Sequence, residues 1–309
     1  MTEPSSSSRS GSPAPPNVVS IAGIDPSGGA GVFADIKTFS ALGAYGCGIV
    51  AALTAQSTTA VTGIHAPPAE FLRLQIDTLF ADVALHACKI GMLGTAETVE
   101  AVAERLSHWQ MPNVVLDPVM VAKSGNSLLD HDAVEALREA LFPVASIITP
   151  NLPESAVLLG GRMAETPAEM RRAAERLREM LPTTPQRWVL LKGGHLPGNE
   201  TTDLLFDGER MVELPSRRID TPNTHGTGCT LSSAIAALLP QAPLDAPCPV
   251  EFAVRAARDY LRNAIAHAEW LAVGHGHGPV HHFHALWRKP ENALSSSLNQ
   301  PEAEAHDPY

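Results

Sequence analysis

The sequence predicts an α/β fold built on a central, mostly parallel β-sheet, and three observations predict it. Short β-branched runs alternate with longer stretches of helical periodicity, several of those runs end in polar or glycine-containing turns, and 44% of the residues are hydrophobic against 18% charged. Alternation of this kind is what parallel strands joined by crossover helices produce. The polar turns fall at the carboxyl ends of strands, where open α/β sheets bind their ligands. With 309 residues the chain can bury a large core without disulfides or structural metals.

Residues 1–16 are rich in Ser and Pro and carry almost no large apolar side chain, so burial cannot offset the entropy of ordering them. They are expected to form a tail, with one folded domain over residues 17–288 and a second polar, flexible tail over 289–309. Asn17–Asp25 reads as the first strand and Gly29–Leu42 as its crossover helix; the apolar run Ile49–Thr54 leads to Gln56. Asn113–Asp117 followed by Asp130–Leu141 repeats the strand–helix pattern, and Ser146–Thr149 and Arg187–Leu191 read as two further buried strands. Asp203–Leu214 differs: two short runs flank Asp207-Gly208, a hairpin-turn signal. Helices over Gly228–Leu239 and Pro249–Leu271 close the domain, and no internal repeat is present.

The formal net charge of -11 argues against nucleic acid or an anionic membrane surface as a partner, because both select basic surfaces. A phosphate-bearing substrate would then need a local positive field, for which Lys37, Lys123 and Lys192 are the candidates. Cys47, Cys88, Cys229 and Cys248 are far apart, without a zinc or disulfide spacing, which fits a reducing compartment. No stretch approaches the roughly 18 uninterrupted apolar residues of a membrane span, so the expected location is the cytoplasm.

The motif richest in chemistry is Asn223–Thr230, NTHGTGCT, which runs straight into the apolar helix Leu231–Leu239. Free amides at a helix N-terminus, with glycines permitting close approach, can hold the charge on a transferred phosphoryl group. The plain alternative is a glycine-rich loop with a Thr cap. Cys229 falls in the first helical turn, where the helix dipole is expected to lower the thiol pKa and make it a proton acceptor; otherwise it is a small buried apolar residue. Its place directly after Gly-Thr-Gly favours the former.

Gly23–Gly31, GIDPSGGAG, follows the first strand, with Asp35 and Lys37 on the helix beyond. It contains Gly29-x-Gly31-x-x-Ala34, a dinucleotide-binding pattern that would suggest a nicotinamide-dependent oxidoreductase. The pattern fails because no Asp or Glu lies between Asp35 and Glu70 to bind a ribose, and no Walker-type lysine loop is present.

Asp117 ends a strand, and Asn151 and Glu154 flank the start of a helix, so oxygen ligands for a nucleotide-bound magnesium could gather at adjacent strand ends. Asn151 as helix cap and Glu154 as first-turn acid is the competing explanation. Lys192-Gly-Gly-His195 closes the strand Trp188–Leu191 and offers a cation at the sheet edge, or a solvated surface lysine. Gln56 could present its amide to a heterocycle, or be ordinary polar loop. Five of the thirteen histidines fall in His275–His284; with no acidic or cysteine partner nearby, the run is read as structural, not as a metal site.

In order, and over roughly residues 17–287, these segments resemble the hydroxymethylpyrimidine/phosphomethylpyrimidine kinase family. The resemblance rests on Gly23–Gly31 with Ala34–Thr38, Leu42–Gly46, Thr54–Gln56, Lys89–Leu93, Asp117–Met120, Ala122–Gly125, Thr149–Glu154, Lys192–His195, Asn223–Cys229 and Gly278–His284; Ile24 departs from the threonine often found there. It implies a ribokinase-like three-layer αβα sandwich, a homodimer, that uses ATP and Mg2+ to phosphorylate a hydroxymethylpyrimidine and then its monophosphate in thiamine biosynthesis. It further implies that Gln56 binds the pyrimidine, that Asp35, Met92 and Val119 line its pocket, and that Gly226, Thr227, Gly228 and Cys229 form the anion hole, with Cys229 in the place of a base. Asp117, Asn151 and Glu154 would serve magnesium, and Lys192 and Thr227 the nucleotide phosphates. Pyridoxal kinase activity on the same fold, a non-catalytic pyrimidine-binding protein and a nicotinamide-dependent oxidoreductase are the alternatives.

Overall fold

The structure, a computed structural model, describes residues 14–120, 131–183 and 185–287. Residues 1–13 of the expected N-terminal tail, the expected C-terminal tail 289–309, Lys123 and the Ala122–Gly125 motif lie outside the described residues. In chain order the elements are β1 (Asn17–Ile24), α1 (Gly31–Ala41), β2 (Tyr45–Gln56), β3 (Val61–His65), α2 (Ala69–Phe80), β4 (Ala87–Ile90), α3 (Ala96–His108) and β5 (Val114–Leu116). There follow α4 (His131–Ala136), running into a π-helical turn over Leu137–Leu141, then β6 (Ile147–Ile148), α5 (Leu152–Leu159), α6 (Pro167–Glu179) and β7 (Trp188–Leu191). β8 (Glu200–Phe206), β9 (Met211–Arg217), α7 (Thr227–Leu238) and α8 (Pro249–Ala266) complete the order.

All nine strands form one sheet, ordered β3-β2-β1-β4-β5-β6-β7-β8-β9. The six strands from β2 to β7 in this order run parallel, while β3 pairs antiparallel with β2 at one edge and β8 pairs antiparallel with both β7 and β9 at the other. Apart from Ser20 and Lys89, the buried residues of the central strands are apolar on both faces, as a sheet covered on both sides requires. Val19, Ile21, Cys88, Ile90, Val114, Leu116, Ile148, Val189 and Leu191 pack into one core with α2 to α6. The alternate residues Val18, Ala87, Val115, Ile147, Trp188 and Leu190 pack into a second core with α1, α7 and α8. The result is a three-layer αβα sandwich.

The expected elements differ from the observed ones mainly at their ends. The crossover helix starts at Gly31 instead of Gly29, because Gly28 takes a positive φ and Ala30 is extended, which keeps the loop out of the helix. The last helix stops at Ala266, and Ala268–Trp270 forms a separate 3-10 turn. The hairpin around Asp207-Gly208 is present as β8 and β9, with Gly208 at φ 107.

Candidate active site

The carboxyl ends of β1, β2, β4 and β5, the start of α5 and the start of α7 surround a cleft of about 490 Å3. Strand ends meet helix N-termini here because every crossover in the parallel sheet runs the same way.

Helix α7 begins after Gly226, whose φ of 76 is the left-handed conformation glycine tolerates. A Cβ on Gly226 would overlap the Gly29 carbonyl oxygen, so the loop before α7 lies directly on the loop before α1. Two side chains fasten the same loops together: the His225 ring nitrogen Nε2 lies 2.6 Å from Asp25 Oδ2. Asp25 also accepts from the Ser27 amide and hydroxyl and from the Ala30 amide. Burial would raise the Asp25 pKa, but the hydrogen bonds from His225 and Ser27 outweigh it and hold the carboxyl below its ordinary value. The His225 amide in turn donates to the Gly278 carbonyl. Neither Asp25 nor His225 had been singled out from sequence. Each belongs to a glycine-rich motif, but nothing in the spacing pairs residues 200 positions apart.

Gly226, Thr227, Gly228 and Cys229 line the cleft, and the first-turn amides of α7 have no partner within the helix. Close by, Lys192 Nζ lies 3.1 Å from Asp117 Oδ1 and 3.9 Å from Glu154 Oε2. Thr149 Oγ1 donates to the same Asp117 oxygen, and Ser232 Oγ on α7 donates to the other. Burial would lower the Lys192 pKa, yet Asp117 and Glu154 hold its ammonium above the ordinary lysine value. Burial pushes the Glu154 carboxyl up to about 7 against the pull of Lys192, with the Asp117 charge adding to the rise. Asn151 and Glu154 form a reciprocal capping box on α5: the Glu154 amide donates to Asn151 Oδ1 at 2.8 Å, and the Asn151 amide to Glu154 Oε2 at 2.7 Å. Both residues nevertheless line the cleft.

Gln56, Met92 and Val119 line the same cleft. Thr54 Oγ1 bridges the Ile24 carbonyl and Gln56 Oε1, which ties the end of β2 to the end of β1.

Three expectations need correction. Asp35 does not line the pocket: it is wholly buried behind it, held by Lys89 Nζ at 2.8 Å, Ser20 Oγ at 2.6 Å and Ser233 Oγ at 2.6 Å. The reason is register, since Asp35 falls on the sheet-facing side of α1. Lys37 does not point a charge into the cleft; its ammonium donates to the Gly28 carbonyl at 2.8 Å, and burial lowers its pKa. The helix dipole does not lower the Cys229 pKa, because burial pushes the thiol up to about 11 despite the nearby Lys89 charge.

In the His275–His284 run, His281 packs against Trp270 and Trp287, and His284 against Tyr260 and His267, with ring centroids 4.9–5.6 Å apart. His282 Nε2 lies 3.2 Å from Thr230 Oγ1 on α7.

Residues 25–281 match the family model described as phosphomethylpyrimidine kinase. The hydroxymethylpyrimidine/phosphomethylpyrimidine kinase of Escherichia coli (strain K12) is 51% identical over 271 residues, covering 88% of this chain and 98% of that protein. The thiamine biosynthesis bifunctional protein ThiED of Geobacter sulfurreducens is 46% identical over 86% of this chain, which spans 52% of its length. Among solved structures, an ADP complex of Bacillus subtilis pyridoxal kinase is similar with a TM-score of 0.77 and 34% identity, over 86% of this chain and 97% of that one. With a family model spanning most of the folded chain and half the residues shared with a full-length relative, the chain belongs to the phosphomethylpyrimidine kinase family.

Proposed function

We propose that this protein transfers the γ-phosphoryl group of ATP first to the hydroxyl of 4-amino-5-hydroxymethyl-2-methylpyrimidine and then to the resulting monophosphate, giving the diphosphate used in thiamine biosynthesis. One observation carries the reading: a single cleft is lined both by an amide and two apolar side chains suited to a ring, Gln56, Met92 and Val119, and by a helix N-terminus beside a lysine suited to phosphates, Gly226–Cys229 and Lys192.

Phosphoryl transfer needs positioning and charge stabilisation more than covalent help. The α7 amides and Lys192 supply the charge, and Gln56 holds the ring so that the hydroxymethyl group faces them. A magnesium ion fits the donor set, since two carboxylates plus water and phosphate oxygens are what it prefers. Asp117 already accepts from Lys192, Thr149 and Ser232, so Glu154 is the carboxylate with more capacity left, and Asn151 fixes its helix. The ion would neutralise phosphate charge; Glu154 would give up its proton on holding it.

Cys229 accepts the hydroxyl proton in the first step. Its thiol keeps its own proton in the free protein, so this role requires that proton to pass to solvent before transfer, the thiolate being favoured by the nearby Lys89 charge. In the second step the acceptor is an ionised phosphate and no base is needed.

The reading takes the cytoplasm, with its ATP, as the compartment; among the described residues no helix is long and apolar enough to cross a membrane. It takes a homodimer as the working unit. The exposed apolar side chains of Tyr45 and Leu53 on β2, Ile64 on β3 and Phe71 and Leu74 on α2 support a self-association surface, to be weighed by light scattering.

The likeness to a pyridoxal kinase gives a second substrate to weigh. A coupled assay of ADP release against the hydroxymethylpyrimidine, its monophosphate and pyridoxal decides: kcat/KM is expected to be at least tenfold higher for the first two. Equal or greater turnover of pyridoxal would reverse the assignment, and no substrate-dependent ADP would remove it.

A further inference from the structure

Lys89 and Asp35 are both wholly buried, and no substrate in the cleft can touch either. Lys89 is the third residue of β4, on the face turned toward α1 and α7; a charge placed there must be compensated. Asp35, from α1, meets it with both oxygens, at 2.9 and 2.8 Å. The carboxylate is then saturated by hydroxyls from two other elements: Ser20 of β1 donates to Oδ2 and Ser233 of α7 donates to Oδ1, each at 2.6 Å. Ser233 lies one helical turn beyond Cys229. The preceding residue, Ser232, makes the matching bond to Asp117, itself paired with Lys192. Two adjacent serines thus pin the first turns of α7 to two lysine–carboxylate pairs. One pair borders the cleft and the other is hidden beneath it.

We infer that Lys89 and Asp35 are positioning residues for the transfer site: the hidden ammonium, aimed by Asp35, places positive charge behind Cys229 and the α7 amides, where it stabilises an anionic sulfur or phosphoryl group that it never contacts. The charged groups facing Cys229 are Lys89 from β4, Asp35 from α1, and Asp117 and Lys192 from the ends of β5 and β7, while the Gly31 amide donates to its sulfur. Among these, burial aside, Lys89 is the strongest influence on the thiol, and it favours the thiolate; Asp35 and Asp117 oppose it. An ion pair without its own hydrogen-bond partners would be poorly placed for this, because a mobile charge pays reorganisation at the moment of reaction. The inference rests on Cys229 belonging to the reacting site.

The test is the alkylation rate of Cys229 by iodoacetamide at pH 8.5, followed site by site with mass spectrometry so that the other three cysteines do not contribute. Lys89→Met is expected to slow Cys229 alkylation at least tenfold, Asp35→Asn to speed it at least threefold, and Lys89→Arg to stay within threefold of wild type. Loosened packing would expose the thiol and speed alkylation in both of the first two variants. Changes of the same sign, or no change in Lys89→Met, therefore overturn the inference. If either single variant does not fold, the double variant Lys89→Met/Asp35→Asn, which leaves no buried charge uncompensated, carries the test: slowing beyond twofold supports the inference, and a wild-type or faster rate overturns it. Because alkylation needs no substrate, its outcome stands apart from that of the kinase assay, and full first-step activity in Cys229→Ala would sink the base assignment alone.

Discussion

Glu154 keeps its proton to about pH 7 in the folded protein, against 4.5 for an ordinary glutamate. The native state therefore binds the proton more tightly than the unfolded chain, and stability falls as pH rises from about 4.5 to 7. Glu154→Gln preserves the capping box through its carbonyl oxygen and removes the buried charge. It should raise thermal stability at pH 8 by on the order of 1–3 kcal/mol and change it little at pH 5, as scanning calorimetry at the two pH values would report. The same substitution should cost at least tenfold in kcat, with a raised requirement for magnesium. Cys229→Ala should lower kcat for the hydroxymethylpyrimidine by roughly 100-fold and for the monophosphate by less than about fivefold, because only the first acceptor has a proton to lose; equal losses would refute the base assignment. Residue identities at this scale were readable wherever a motif fixed both the residue and its element, as with Cys229 after Gly-Thr-Gly. What could not be read was environment. The dipole argument for a lowered Cys229 pKa had the right sign for an exposed thiol, and burial reversed it.

The start of α7 is built on contact between two loops, and that contact leaves no room for a side chain. Gly226→Ala would place a methyl against the Gly29 carbonyl at a φ of 76 that alanine rarely adopts. The expected result is a loss of about 2–4 kcal/mol in urea unfolding and at least 100-fold in kcat, with less effect on the KM for the pyrimidine, whose proposed contact is Gln56 at the end of β2. Asp25→Asn should leave the loops joined by a weaker hydrogen bond, with kcat reduced about tenfold and KM for the pyrimidine nearly unchanged; a change in KM alone would show that Asp25 meets the substrate instead. At this scale the strand–helix alternation and the Asp207-Gly208 hairpin were legible because each has a local cause, periodicity or turn chemistry. The Asp25–His225 fastening has no local cause and emerges only when the sheet brings the two loops together. Asn151 and Glu154 illustrate the middle case: the cap predicted as an alternative is real, and the same geometry leaves both residues on the cleft.

Across the whole molecule, the sheet order follows from parallel strands apolar on both faces, which the β-branched runs announced. The antiparallel edge strand β3 was not legible, because Val61–His65 is polar-leaning and largely exposed and carries no alternation of its own. Register is also a property of the whole: it turned Asp35 inward toward Lys89, where the family resemblance implied a place in the pocket. The C-terminal segment closes the fold over α7. Burial there pushes the His282 imidazole down to about 3, with the Lys37 charge and neighbouring histidines adding to the fall. The unfolded chain thus binds this proton more readily, and stability is lost as pH falls from about 6.5 toward 3. His282→Gln, which keeps a polar group near Thr230 Oγ1, should flatten the decline of Tm between pH 6.5 and 4; an unchanged slope would assign the acid sensitivity to other groups.

The fastening of Asp25 to His225, and of the His225 amide to Gly278, also sets the order in which a newly made molecule becomes competent. A ribosome delivers Asp25 first and Gly278 more than 250 residues later. A nascent chain can stack its early strands and helices while still tethered, but the loop junction at the start of α7 stays unfinished until almost the last of the folded segment has left the exit tunnel.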